Sequence, residues 1–218
     1  MMFHTRKTFV AAQRNVVPAV ICAALISCLI APASAHAQAL LGTWTMKAPL
    51  PSARGEVAAV TLDGKLHALG GSVEGKAGPY HDEYDPATNT WRARAPLPEG
   101  RDHLAVAVAG GRIYAFGGFI HTVHQGAGTD AFEYDPATDR WRTLTPMKVA
   151  RGSAGAATID GKIHVIGGRG PDTVVVAAHE VFDPKTNTWS EAAPLPTARD
   201  HMAVVAVGGK IHVIGGRF

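Results

Sequence analysis

Four arginines, Arg54, Arg101, Arg151 and Arg199, stand 47, 50 and 48 residues apart, and the chemistry they offer is recognition of anions. A guanidinium presents its N–H donors in a planar fork that matches a carboxylate, so several converging on one opening would hold an acidic small molecule or an acidic peptide. Two of the four extend to Arg101-Asp102-His103 and Arg199-Asp200-His201, while the others read Arg54-Gly55-Glu56 and Arg151-Gly152-Ser153. A carboxylate and an imidazole near arginines are the groups that general acid/base catalysis draws on, because histidine titrates near neutrality. Asp102, His103, Asp200, His201 and Glu56 are therefore the catalytic candidates. Each arginine could equally hydrogen-bond carbonyls between repeats, and each aspartate could pair with a neighbouring arginine. Spacing alone fixes no mutual geometry, so binding is expected ahead of catalysis.

Other histidines read differently. His67, His164 and His212 share one position with Tyr114, and interchange with tyrosine marks a packing slot. His81 and His179 also match one another, beside Asp82 and Glu180, where a structural hydrogen bond is expected. His121 and His124 lie in the longest loop, 119–129. Two ligands fall short of the three protein ligands of a catalytic zinc site, so neither a metal nor any other cofactor is expected there.

These residues are positioned by a repeat. Each arginine lies 10 residues after a tryptophan (Trp44, Trp91, Trp141, Trp189) and 16 before a glycine pair that begins at Gly70, Gly117, Gly167 or Gly215. All variation in length falls between a glycine pair and the next tryptophan, which is how stacked supersecondary units with one elastic loop look in sequence. After each arginine comes a small apolar run, as in Leu104 to Val108, bounded by turns and suited to a strand buried on both faces. Its alanines predict a crowded innermost strand. Asp63-Gly64, Gly110-Gly111, Asp160-Gly161 and Gly208-Gly209 are hairpin turns. A second strand then runs to the glycine pair, a third carries Tyr84, Tyr134 or Phe182, an Asp-Pro turn follows, and the tryptophan opens a fourth.

This pattern resembles the kelch repeat, four times over. The resemblance implies an all-β, kelch-type β-propeller of about four blades, each of four antiparallel strands around a central channel. The repeats span about 44–90, 91–140, 141–188 and a partial 189–218. A fourth strand at Trp44 would join two strands at the C-terminal end in a final blade lacking its third strand, so the propeller is expected to be truncated, split, or completed by self-association. The resemblance also implies that the arginines line a ligand-binding face, and that a periplasmic mutarotase or epimerase acting on a carboxylated sugar such as sialic acid is the alternative to a binding module. A scaffold or fragment without a ligand is the third reading.

Composition sets the compartment. Arg6, Lys7 and Arg14 precede an apolar stretch from Val16 to Ile30 and the small-residue run Ala33-Ser34-Ala35-His36-Ala37, the order of a cleavable secretory signal over 1–37. The domain is then 38–218, periplasmic or secreted, without a membrane anchor. Leu25-Ile26-Ser27-Cys28 resembles a lipoprotein lipobox and is the alternative processing site. All 18 acidic and 18 of the 21 basic residues lie beyond residue 37, so the domain is neutral and carries no overall basic footprint for nucleic acid. Both cysteines, Cys22 and Cys28, leave with the signal. That removes disulfides, thiol nucleophiles and thiolate ligands, and with them the cysteine–tyrosine cofactor of the kelch-type copper oxidases.

Overall fold

The computed structural model describes residues 42–122 and 124–218. The expected signal, its cleavage position and Cys28 lie outside them. Every element among the described residues is a strand. In chain order they are β1 (Ala58–Leu62), β2 (Lys65–Leu69), the short pair β3 (Ser72–Val73) and β4 (Lys76–Ala77), β5 (His81–Asp85), β6 (Thr90–Ala93), β7 (Ala105–Ala109), β8 (Arg112–Phe116), β9 (Ala131–Asp135) and β10 (Arg140–Thr143). There follow β11 (Gly155–Ile159), β12 (Lys162–Ile166), β13 (His179–Asp183), β14 (Thr188–Glu191), β15 (Asp200–Val207) and β16 (Lys210–Arg217).

Three sheets have four antiparallel strands each, ordered β1-β2-β5-β6, β7-β8-β9-β10 and β11-β12-β13-β14, and β15-β16 is a two-stranded fourth. These are the blades. The hairpin turns fall where the dipeptides stand: Asp63 and Gly64 take φ of 49° and 74°, Asp160 and Gly161 take 51° and 75°, the doubly left-handed geometry whose twist matches that of the strands it joins. Trp44 departs from expectation. Residues 42–45 form no strand and Trp44 is fully exposed, so the fourth strand expected there is not formed.

The core lies between blades rather than within them. Alternate residues of β8 face opposite ways: Ile113 and Ala115 pack with Leu62 and Leu69 of the first blade, whereas Tyr114 and Phe116 pack with Ile163, Val165 and Phe182 of the third. A strand pleat turns successive side chains to opposite faces, so a sheet apolar on both must be sandwiched. Inner strands β1, β7, β11 and β15 pack in that sequence, β1 and β15 being the ends of the row, and all four border one shallow hollow of about 320 Å³. Small residues are needed there, since a Cβ on Gly155 would come within 2.2 Å of Val204.

Tryptophans tie one blade to the next. Trp91, Trp141 and Trp189 donate their indole N–H to the carbonyls of Ala48, Ala95 and Thr145, at 2.9, 2.9 and 2.8 Å. The N–H groups of those same three residues are accepted by Asn89, Asp139 and Asn187, two residues before each tryptophan. A second tie is backbone alone: Gly71, Gly118 and Gly168 donate to the carbonyls of Arg101, Arg151 and Arg199 in the following blade at 2.9, 3.0 and 2.8 Å.

The first glycine of each pair allows that approach. A Cβ at Gly117, whose φ is +60°, would stand 2.1 Å from the Arg151 carbonyl oxygen, while one at Gly215, with φ of +70°, would meet nothing within 4 Å. Gly215→Ala therefore costs only the left-handed conformation, about 1 kcal/mol, and Gly117→Ala adds overpacking against backbone for about 3 kcal/mol in all. Urea unfolding midpoints of the two variants check the difference, and equal losses would contradict the tie.

Candidate functional site

The four arginines do not bring their guanidinium groups together. Three are sunk in separate blades, with side chains at most 1% exposed. Arg54 pairs with Asp82 at 2.7 Å, Arg101 with Asp130 at 2.6 Å and Arg151 with Glu180 at 2.5 Å, the acidic residue at or just before each third strand. Further donors go to the carbonyls of Gly70, Gly117 and Val165. Arg199 donates to the Gly215 carbonyl and lies over the Phe218 ring on the flank of the fourth blade. What lies at the channel mouth is the arginine backbone, carrying the interblade hydrogen bonds described above.

The mouth itself is built by the residues two positions later. Glu56, His103, Ser153 and His201 all adopt left-handed backbone, with φ of 55°, 52°, 54° and 53°. That conformation points their amides across the blade boundary: His103 donates to the Glu56 carbonyl at 3.2 Å, Ser153 to His103 at 2.9 Å, and His201 to Ser153 at 3.0 Å. A ladder thus runs around the mouth, and the side chains on it are brought together.

Asp102 Oδ1 lies 2.9 Å from His103 Nδ1, and Asp200 Oδ1 lies 2.9 Å from His201 Nδ1. A carboxylate only accepts, so in both histidines Nδ1 carries a proton and Nε2 faces outward from the dyad. His103 is buried, and its Nε2 stands 2.8 Å from Glu56 Oε2 but off the direction of a hydrogen bond, leaving the atom without a partner. Asp102 Oδ2 is likewise buried and unpaired. His201 Nε2 is 3.3 Å from Ser153 Oγ and 3.2 Å from His124 Nε2. His121, the other half of the loop's histidine pair, is exposed on the outside, and its carbonyl accepts from Ala77 in the neighbouring hairpin strand.

Burial of Asp200 would raise its pKa, but hydrogen bonds from His201 and Arg169 bring it below the ordinary value. Burial lowers the pKa of both His201 and His124, in His201 against the opposing pull of Asp200. Arg169 and Arg217 close the site, donating to Asp200 at 2.5 and 3.3 Å, and Arg217 Nη2 also rests 2.7 and 2.8 Å from the two ring nitrogens of His201. Neither arginine was among the sequence candidates. The signal existed, since both follow a glycine pair directly, in the slot held by Ser72 and Phe119 in the other repeats.

A profile of kelch-repeat domains, described as KLHDC2/KLHL20/DRC7 Kelch-repeats, matches residues 40–216. The chain belongs to the kelch-repeat family. Among solved structures it is similar to one described as the structure of YjhT, with a TM-score of 0.69 at 20% identity over 80% of this chain. This kelch array spans 63% of the length of that protein. At such identity the likeness speaks for the fold alone. No match was found among curated proteins.

Of the histidines in the packing slot, His67 and His164 behave as expected, whereas His212 on β16 is exposed. His67 Nδ1 meets His81 Nε2 at 2.9 Å, and His81 Nδ1 donates to the Ala95 carbonyl at 3.1 Å; His164 and His179 repeat the arrangement at 2.9 Å. Burial, more than any other cause, takes the His81 pKa down to about 4. The unfolded imidazole takes up a proton near pH 6.5 while the folded one stays neutral until about pH 4. Stability present above pH 6.5 is therefore lost as pH falls toward 4, by up to about 3 kcal/mol from this residue. Urea midpoints at pH 7 and pH 5 should differ in that direction, and His81→Gln should flatten the difference.

Proposed function

We propose that this kelch array is an exported binding module that takes a carboxylate-bearing small molecule or an acidic peptide at the mouth formed by Glu56, His103, Ser153 and His201. The observation that carries this reading is a contrast at one repeat position: the backbone is the same in all four units, while the side chains differ in charge and donor type. A recognition surface needs chemical diversity on a fixed frame. Positive charge for an anion comes from Arg169 and Arg217, and Arg217 is 55% exposed and free to turn toward a ligand. The N-terminal charge, apolar run and small-residue site support export to the periplasm or beyond.

A second reading, a mutarotase or epimerase acting on a carboxylated sugar, is favoured by the line Asp102, His103, Glu56, with heavy-atom separations of 2.9 and 2.8 Å. A proton can be given and taken along it. One NMR experiment with N-acetylneuraminate addresses both readings. Line broadening that Arg217→Ala weakens about tenfold, and that Arg151→Met leaves intact while lowering stability, supports the mouth as the site. Accelerated anomer exchange supports catalysis. Absence of both would remove this ligand class.

The partner surface includes a second copy of the chain in our reading. Among the described residues β16 pairs only with β15, and Val205, Val207, Ile214 and Phe218 are 43%, 61%, 60% and 88% exposed. An apolar strand with an unpaired edge is a template for another chain. Light scattering should report a dimer or larger species that Ile214→Lys returns to monomer, and a monomeric parent protein would refute it.

A further inference from the structure

Three imidazoles from three segments meet at the mouth. His103 enters from the start of the second blade, His124 from the loop after β8, and His201 from β15. One ring nitrogen of each lies within 4.8 Å of those of the other two. In a tetrahedral zinc site with bonds of about 2.0 Å, donor atoms stand roughly 3.3 Å apart. His124 Nε2 and His201 Nε2 are already 3.2 Å apart, so closure asks only for a modest inward shift of His103 and of the His124 loop.

Two further observations point to a cation. First, Asp102 and Asp200 each bind the Nδ1 proton of their histidine at 2.9 Å. This carboxylate–histidine pairing fixes the tautomer, aims Nε2 and raises the basicity of the ring, as at metal centres. Second, His103 Nε2 is a buried ring nitrogen with no hydrogen-bond partner, on a side chain only 4% exposed. Such an atom is costly to leave unsatisfied, and a metal ion would satisfy it. Charge agrees on balance: Asp102, Asp200 and Glu56 outnumber Arg169 and Arg217. The Arg217 contact with the His201 ring must yield to an ion, and its exposed guanidinium already has Asp200 within 3.3 Å as an alternative partner.

We propose that His103, His124 and His201 bind a divalent transition-metal ion, zinc by the chemistry of three neutral imidazoles, with one coordination position open toward the channel mouth. Glu56 Oε2, 2.8 Å from His103 Nε2, stands where it can accept a proton from a water in that position or ligate the ion itself. The inference deepens the binding reading above, because a carboxylate ligand would complete the coordination sphere. It does not depend on that reading, since the ion alone is the probe.

The test uses the full chain without a polyhistidine tag, titrated with Co²⁺ and followed by visible absorption, then with Zn²⁺ by calorimetry. We expect one ion per chain and the visible bands of a tetrahedral cobalt site, displaced by zinc. His103→Ala and His201→Ala should each weaken zinc at least a hundredfold, Asp200→Asn ten- to a hundredfold, and His121→Ala not at all. Circular dichroism reports whether each variant folds. Because His103 and His201 sit on the backbone ladder, His124→Ala, which lies off it, decides alone if those two fail to fold. The proposal is overturned if no tetrahedral spectrum appears, or if zinc affinity survives His124→Ala. Anion binding measured in a chelator reports separately on the reading of the previous subsection.

Discussion

Close backbone-to-backbone approach between successive blades is the constraint on which this molecule rests. The glycine pair has no Cβ to hold the neighbouring arginine carbonyl away, so its second N–H reaches that oxygen at about 3 Å, as at Gly118 and Arg151. The residues two positions after the arginines share one backbone form. They turn left-handed at Glu56, His103, Ser153 and His201 and link amide to carbonyl around the mouth. Left-handed backbone costs a non-glycine residue on the order of 1 kcal/mol, and the interblade hydrogen bonds offset it. Tryptophans then fasten the outer rim, where nothing so tight is needed and a large ring can fill the space.

A division of labour follows. Since the ladder uses only main-chain atoms, it does not depend on which side chains it carries, and these can differ from unit to unit. The arginines show the converse. In the first three units the guanidinium is spent inside its blade on a carboxylate and a carbonyl, and removing Arg54 or Arg151 would leave Asp82 or Glu180 as a buried, uncompensated charge. Uniform residues hold the frame here, and variable ones line the mouth.

That contrast also explains what could be read in the sequence. Turns, strand order and the small inner strands were legible because each depends on local residue type at fixed spacing: Asp63-Gly64 must turn, and alternate residues of a strand must face opposite ways. The arginines misled because spacing locates a Cα in the array but says nothing of which way a long side chain runs. Asp82 and Glu180 were visible as acidic positions beside the third strand, yet pairing them with Arg54 and Arg151 required knowing that residues 28 and 29 apart are neighbours. His124 was seen only as half of a local pair with His121. Its actual neighbours, His103 and His201, lie 21 and 77 residues away, and no periodicity links a loop insertion to the repeat frame.

One consequence concerns how the mouth is held. In a repeat array each unit is stabilised by its neighbours, and the third blade has neighbours on both faces, whereas β15 and β16 pack on one side only among the described residues. Yet Asp200, His201 and Arg217, three of the mouth's ionisable groups, stand on these two strands. Their placement is set by the His201 amide donating to the Ser153 carbonyl and by Arg169 donating to Asp200, two bonds that join them to the third blade. Whatever covers the exposed flank at Val207 and Ile214 would therefore reach the mouth through two strands, tightening His201 against His103 and His124. Association and ligand or metal affinity should then be coupled in free energy, each raising the other by the same factor.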